Sequence, residues 1–540
     1  MACNYCACPM PQDIGSEFEQ LTHVELTDLM KLPPPYDNFN QPWKEIEEQT
    51  RQKYVMLDDT IAVGLPKPET EEEEQELVER FLNGLKKLMT KEDNWTFLQP
   101  LMLSLEHCAK CQTCVDACPI YQATGENEIY RPTYRSEVLR KIVNAHIKHG
   151  PRVLKKLAGN DIDLNWTAIA RLAELSYRCT LCRRCAQTCP VGVDNGLISH
   201  EIRKLFSQEF GIAAKEIHRE GSVKQLDVGS STGMNEIVVK DNVEFIDEEM
   251  TEKVGFKIET PWDKSGADVL ILHNAGEFMA WPENPGATAV ILEAAGINWT
   301  LSSEIAGYDA INYGVWYDDA MFARVALKHA EIAKKLGVKK IIMAECGHAH
   351  KSLTVIADRI FSQDYDVPRE SILTFLADLI CDQGRLKLDP SKNDFPVTLH
   401  DPCNISRLMG IVEPQRRVIR KICPQFREME PHGVKNYCCG GGSGFAIMSP
   451  HNFQDWRLAV SGRMKVKQIL EAFQDADLNN PENKKYLCAP CSNCKGQIRD
   501  LLVYYKMTER SGIFYGGLVE LIVNAMEDVK EPFLEWEEPF

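Results

Sequence analysis

The chain has 540 residues, a formal charge of −18, 44% apolar residues and 20 cysteines. That length accommodates roughly three or four domains, and the acidic balance excludes a general nucleic-acid binder, which carries a basic footprint. No signal-peptide pattern opens the sequence and no apolar run nears the ~18 residues of a membrane span, so the expectation is a soluble chain that reaches a membrane only through a partner. Cysteine usage of this density without a secretion signal points to metal ligation or redox chemistry in a reducing cytoplasm, not to a disulfide scaffold.

Residues 1–100 read as an N-terminal extension. It opens on CNYCAC (Cys3, Cys6, Cys8), equally a mobile tail or a contribution to a metal site on a neighbouring subunit. In the acidic run ETEEEEQELVERFLNGLKKLM, Leu77, Phe81, Leu82, Leu85 and Leu88 recur at helical spacing, which predicts an amphipathic helix with a solvated face. Residues 101–205 carry two cysteine motifs joined by helical segments, YRSEVLRKIVNAHIKHG and WTAIARLAELSYR. Residues 206–260 are acidic and mixed, and read as a linker. From 261 onward, short β-rich runs (ADVLIL, KKIIMA, PVTLH) alternate with helical patterns such as MFARVALKHAEIAKKLG, which predicts α/β units with parallel strands over 261–385 and 386–510. Residues 511–540 read as a helix followed by a polar tail.

CAKCQTCVDACP places Cys108, Cys111, Cys114 and Cys118 before Pro119; CTLCRRCAQTCP places Cys179, Cys182, Cys185 and Cys189 before Pro190. Both are C-x2-C-x2-C-x3-C-P, the spacing that wraps three thiolates round one cubane [4Fe–4S] cluster and sends the fourth to a second cluster. The expected ligand sets are Cys108, Cys111, Cys114 with Cys189, and Cys179, Cys182, Cys185 with Cys118. Zinc sites use two separated pairs instead. The 60 residues between the motifs are too long for a compact bacterial ferredoxin, and the region resembles the helical ferredoxin domain of succinate dehydrogenase iron–sulfur subunits. Lys110, Arg178, Arg183 and Arg184 lie in or beside the motifs, where basic groups either raise a cluster's potential or are plain surface charge.

The α/β region contains an internal match. VLILHNAGEF (269–278) against VTLHDPCNIS (397–406) pairs His273 with His400 and Gly276 with Cys403. INYGVW (311–316) against KNYCCG (435–440) sets Gly314 and Val315 opposite Cys438 and Cys439, and IIMAECGHAHK (341–351) against YLCAPCSNCKG (486–496) pairs Cys346 with Cys491 and Ala349 with Cys494. The reading is a duplicated fold with one cysteine-bearing copy and one from which the cysteines have been erased. Gly440, Gly441 and Gly442 allow close backbone approach after the vicinal pair, and a helix beginning near Ser443 would offer amides to an anion. Cys488, Cys381 and Cys423 read by default as packing residues. His400 is either an orienting group or a proton donor to a sulfur leaving group.

The five-cysteine pattern C-xn-CCG-xm-C-x2-C resembles the CCG domain of heterodisulfide reductases, and the layout from about residue 100 to 500 resembles the HdrD-like/DsrK family. The fold implied is α/β plus α: a helical ferredoxin-type domain with two cubane clusters, then duplicated α/β CCG domains with one active copy. The resemblance implies a noncubane [4Fe–4S] cluster on Cys403, Cys438, Cys439, Cys491 and Cys494, with Gly440 beside it, where a disulfide or trisulfide is reduced. It further implies a DsrC-like small protein as substrate, a membrane cytochrome b-type or quinone-reactive subunit and other Dsr-type subunits as partners, and a peripheral place on the cytoplasmic face of the membrane. The alternatives are the iron–sulfur subunit of a glycolate, lactate or glycerol-3-phosphate dehydrogenase, and a non-enzymatic electron-transfer scaffold.

Overall fold

The computed structural model describes residues 24–57, 60–90, 101–148, 150–151, 153, 164–304, 309–356, 367–448 and 453–536; Cys3, Cys6 and Cys8 lie outside the described residues. The chain forms two compact units. The first runs to Ile217 and takes in two later segments, Trp316–Asp319 and Gly440–Lys465; the second comprises His218–Val315, Ala320–Cys439 and Val466 onward. Both later segments begin directly after the matched positions Val315 and Cys439.

The first unit is mainly helical, with one short antiparallel strand pair, Tyr54–Val55 and Leu65–Pro66. In α1 (Glu71–Leu88) the Thr70 side chain accepts the Glu73 N–H at 3.2 Å, four glutamates occupy the first turn, and Lys86 and Lys87 the last. This is the charge order that the helix dipole favours. Phe81, Leu85 and Leu88 are buried, and the Phe81 ring lies 6.1 Å from that of Phe206. One face of the acidic helix is therefore docked, while Glu71–Glu73 stay exposed. The two helical segments expected between the cysteine motifs form α2 (Pro132–Ile142) and α3 (Trp166–Tyr177), the latter capped by Asn165. Beyond the second motif, α4 (Asn195–Phe210) starts at an Asp194 cap and stops at Gly211 in the left-handed region. Trp166 packs on Phe206 and Phe210.

The second unit holds two four-stranded parallel sheets. Its longest helix before the first sheet, α5 (Glu236–Val254), is capped by Asn235 and ends at Gly255. Val239, Val243, Ile246, Met250 and Val254 line its buried face and join the main core. Much of the 206–260 stretch is thus packed helix. Most of its acidic residues face outward and mask a sound apolar stripe, while Asp247 turns in to accept from Thr260.

One sheet contains β1 (Val269–Leu272), β2 (Trp299–Thr300), β3 (Lys340–Met343) and β4 (Arg369–Ser371); the other β5 (Val397–Leu399), β6 (Phe426–Arg427), β7 (Lys485–Cys488) and β8 (Ile513–Gly516). The orders are β2-β1-β3-β4 and β6-β5-β7-β8, so in each sheet the first strand lies between the second and third. The detail repeats. Leu272 stands opposite Met343 and Leu399 opposite Cys488. Past the third strand, Cys346 N–H bonds the Ala344 carbonyl at 2.6 Å and Cys491 N–H the Ala489 carbonyl at 2.7 Å. The expected C-terminal helix is α6 (Leu518–Asn524), and β8 before it completes the second sheet, so this α/β unit continues past residue 510.

Candidate metal centres

The two four-cysteine runs adopt the same loop. Positive φ angles occur at Lys110 (55°) and Gln112 (62°), and at Leu181 (50°) and Arg183 (61°), the residues flanking the second cysteine of each run. Left-handed backbone costs a side-chain-bearing residue about 1–2 kcal/mol, so its recurrence at matching places indicates a demand of the loop. Backbone of this kind aims successive N–H groups into a concavity suited to an anion.

The fourth cysteine of each run has crossed to the other. Cys118 lines one cavity with Cys179, Cys182 and Cys185, while Cys189 is an electrostatic neighbour of both Cys108 and Cys114. Cys111 sits at the exposed edge with its Sγ 3.2 Å from Thr113 Oγ1. Burial pushes the Cys114 thiol up to about 12 and Cys118 to about 11, with the neighbouring sulfurs adding to both. Burial also raises Cys185 well above the usual range. Crowded buried thiols of this sort give up their protons to a cation, which is the exchange that metal binding makes, so the donor set fits an iron–sulfur group. The start of α4 adds N–H donors: Val193 N lies 3.2 Å from Cys189 Sγ, and Asn195 Nδ2 3.9 Å from Cys114 Sγ.

Three of the basic residues noted beside the motifs are ion-paired. Arg178 pairs with Glu174 at 3.0 Å, Arg183 with Asp194 at 2.5 Å and Lys110 with Glu137 at 3.2 Å. Arg184 donates to the Ala117 carbonyl. Two arginines that the motif does not mark, Arg135 and Arg203, are buried beside the second run.

In the second unit, His400, Cys439 and Cys494 bring ligand atoms within 4.8 Å of one another, all buried. His400 follows β5, Cys439 closes the vicinal pair, and Cys494 lies in α7 (Ser492–Tyr504) after β7. His400 Nε2 is 3.3 Å from Cys494 Sγ, and its Nδ1 is 3.3 Å from Asn436 Nδ2. Hydrogen bonds from the Cys438 and Cys494 side chains hold the Cys439 thiol well below its usual range, against its burial, and His400 adds to this. A bond with Cys494 likewise lowers Cys491, and Cys494, the donor to both, is raised well above its usual range. Four of the five expected cysteines, Cys438, Cys439, Cys491 and Cys494, therefore form one buried, hydrogen-bonded sulfur cluster. Such a set of mutually bonded thiols and thiolates is chemically suited to thiophilic metal. Cys403 lies outside the 4.8 Å trio, partly exposed at the head of the turn Asn404–Leu408.

The glycines after the vicinal pair answer to backbone packing. Gly440 has φ 95°, and a Cβ there would lie 2.6 Å from both Cα and N of Gly462. Its carbonyl accepts from Ser461 Oγ at 2.6 Å. No helix starts at Ser443; residues 442–447 are turns, with Ser443 itself at φ 66°. Helix amides are therefore not offered there, because the left-handed residue redirects the chain.

Cys488 ends β7, fully buried in the main core at the place Met343 holds in the other sheet, and burial raises its thiol well above the usual range. Cys423 is buried in that core and Cys381 packs against it. His348 and His350 are buried, pushed down to about 3 and 4 by desolvation, and bonded to the carbonyls of Asn312 and Cys346. They are neutral packing groups. Cys346, the one of the five matched positions that keeps a cysteine in the first copy, is fully buried beside Cys491.

Two domain families match the chain: the 4Fe-4S dicluster domain over residues 104–193 and the cysteine-rich domain over residues 397–499. Fold and site thus define an iron–sulfur protein. The chain is 27% identical to the Hdr-like menaquinol oxidoreductase iron-sulfur subunit 2 of Archaeoglobus fulgidus, over 93% of this chain and 94% of that one. It is also 27% identical to the Hdr-like menaquinol oxidoreductase iron-sulfur subunit of Archaeoglobus profundus, over 78% and 79%. To the HdrD-type subunit of the dihydromethanophenazine:CoB–CoM heterodisulfide reductase of Methanosarcina mazei it is 26% identical, over 74% and 89%. Over most of its length the chain is therefore similar to HdrD-like iron–sulfur subunits, with a 4Fe-4S dicluster domain and a cysteine-rich domain in the matching places. No helix among the described residues is long and apolar enough to cross a membrane.

Proposed function

We propose that this chain is the disulfide-reducing subunit of a membrane-linked electron-transfer complex. Cys108, Cys111, Cys114 with Cys189, and Cys179, Cys182, Cys185 with Cys118, would hold two cubane [4Fe–4S] clusters; Cys403, Cys438, Cys439, Cys491 and Cys494 would hold a noncubane one. The observation that carries the reading is the buried convergence of Cys438, Cys439, Cys491 and Cys494 round His400 in one sheet, against its absence at the matched positions Gly314, Val315 and Ala349 of the other. The repeated strand order supports a duplicated CCG fold with one active copy.

Clusters of this type pass one electron at a time and bind sulfur. Reduction of a disulfide takes two electrons and two protons and yields two thiols. His400 holds Cys494 in place through Nε2, while Asn436 fixes the ring by its other nitrogen. Burial of the sulfurs excludes water from the reacting atoms. The electrons would come from a membrane cytochrome b-type or quinone-reactive subunit, as the menaquinol named for the Archaeoglobus relatives suggests. The substrate would be a disulfide or trisulfide on a DsrC-like small protein in dissimilatory sulfite or sulfate reduction. On this reading the chain would work at the cytoplasmic face of the membrane, beside other Dsr-type subunits. The long match to Hdr-like subunits favours this over the dehydrogenase-subunit alternative.

Iron analysis of anaerobically purified protein tests the reading. About twelve iron atoms per chain are expected, four per [4Fe–4S] cluster; about eight would remove the third cluster and the disulfide chemistry with it.

A further inference from the structure

Arg203 lies in α4 with no exposed surface, and its guanidinium meets no carboxylate among the described residues. Nη2 donates to the carbonyls of Ser176 and Cys179, each at 2.7 Å, and Nη1 to the carbonyl of Trp316 and to Ser443 Oγ. The planar face stacks on Tyr177 at 4.4 Å. Arg135, in α2, is likewise buried and without an ion pair among the described residues; its Nε donates to Ser199 Oγ at 3.0 Å, one turn before Arg203 on α4. Arg135 also lines the cavity of Cys118, Cys179, Cys182 and Cys185. Two buried cations on packed helices, neither matched by an acid among the described residues, are costly unless an anion lies close by.

The other four-cysteine set has a different surround. Cys111 is exposed, and Glu137, the acid whose charge acts on Cys108, is held by Arg140 at 2.6 Å and Lys110 at 3.2 Å. Charge there is balanced and wetted by solvent. Around the second set Arg178 and Arg183 are also balanced, by Glu174 and Asp194, and Arg184 is only half-buried, whereas Arg135 and Arg203 are buried with no acid partner among the described residues.

We infer that Arg135 and Arg203 make the centre on Cys118, Cys179, Cys182 and Cys185 the higher-potential of the two cubanes, so that an electron reaching the Cys108, Cys111, Cys114 and Cys189 centre moves on to it. This rests on the metal reading above. Each reduction adds one negative charge to a cluster. Burial opposes that charge, while an uncompensated guanidinium in a low-dielectric surround favours it more strongly than an exposed or paired one does. Ser443, which Arg203 also grips, follows Cys439 by four residues in the sequence.

The test is a redox titration of the anaerobic full-length protein, poised with dithionite and mediators and followed by paramagnetic resonance. A Cys111→Ser variant identifies the first centre's signal. In Arg135→Gln the second centre's midpoint should fall by at least a tenfold change in reduced-to-oxidised ratio at fixed poise, about 59 mV for one electron. The first centre should stay where it was. Arg135→Lys, which keeps the charge, should restore the potential, whereas a purely structural role would not be rescued in this way. Arg203→Lys should keep the second centre's potential above that of an Arg203→Gln variant. Two loaded cubanes with unmoved potentials in Arg135→Gln, or equal shifts in both, would overturn this inference alone. Absence of cubane signals from the wild-type protein would overturn the metal reading and this inference together.

Discussion

The backbone N–H of Gly347 points at Sγ of Cys491 across 3.3 Å. Gly347 belongs to the copy that keeps only one of the five matched cysteines, and Cys491 to the copy that has all five. The erased copy therefore supports the sulfur cluster of its twin: Ser492 N–H also bonds the Glu345 carbonyl at 2.7 Å, and Asn274 bonds Ser492 Oγ at 3.1 Å.

A Cβ on Gly347 would stand 3.1 Å from Cys491 Sγ. Gly347→Ala should therefore displace that sulfur, at a stability cost of about 1–3 kcal/mol for overpacking. Paramagnetic resonance should show the proposed noncubane signal reduced relative to two unchanged cubane signals.

Gly440→Ala meets two penalties, a left-handed φ of 95° and backbone atoms at 2.6 Å. A loss of roughly 2–4 kcal/mol is expected, read as a lowered midpoint in chemical denaturation. Unchanged stability would show that the segment can repack away from Ser461 and Gly462.

CAPCSNC offers two overlapping C-x2-C pairs, and the strand register separates them. Cys488→Ala should cost about 1 kcal/mol or somewhat more for the small cavity it leaves and should keep the full iron content. Cys494→Ala should lose about four iron atoms, one cluster's worth. Metal analysis of the two variants reads both outcomes.

Burial pushes the Glu345 carboxyl up to about 7, with Lys495 opposing and Glu520 adding. The folded protein thus keeps a proton that the unfolded chain releases near pH 4.5. The resulting stability is fully present below that pH and is lost as pH rises through about 7. Thermal midpoints between pH 5 and pH 8 should therefore fall more steeply in the wild type than in Glu345→Gln.

The four-cysteine runs could be read from sequence because ligand spacing in such loops is local. The vicinal pair and its partners were legible for another reason: the internal match supplied a second copy with the thiols removed. What escaped was set by distant parts of the chain. Gly440 is small because Gly462 passes against it. Arg135 and Arg203 reach the second run from helices that carry no cysteine motif. The apolar stripe of α5 was hidden among acidic residues, since Val239, Val243, Ile246, Met250 and Val254 become a core face only once the first sheet is there to receive them.

If Cys438 and its neighbours hold a redox-active centre that handles disulfides, the centre must respond to a dithiol. Oxidation of the anaerobic full-length protein with a dithiol present should therefore give a paramagnetic signal that is missing without the dithiol. In Cys438→Ala that signal should disappear while both cubane signals remain. A wild-type protein that gives no such signal, or a Cys438→Ala variant that gives it unchanged, would contradict disulfide chemistry at this site.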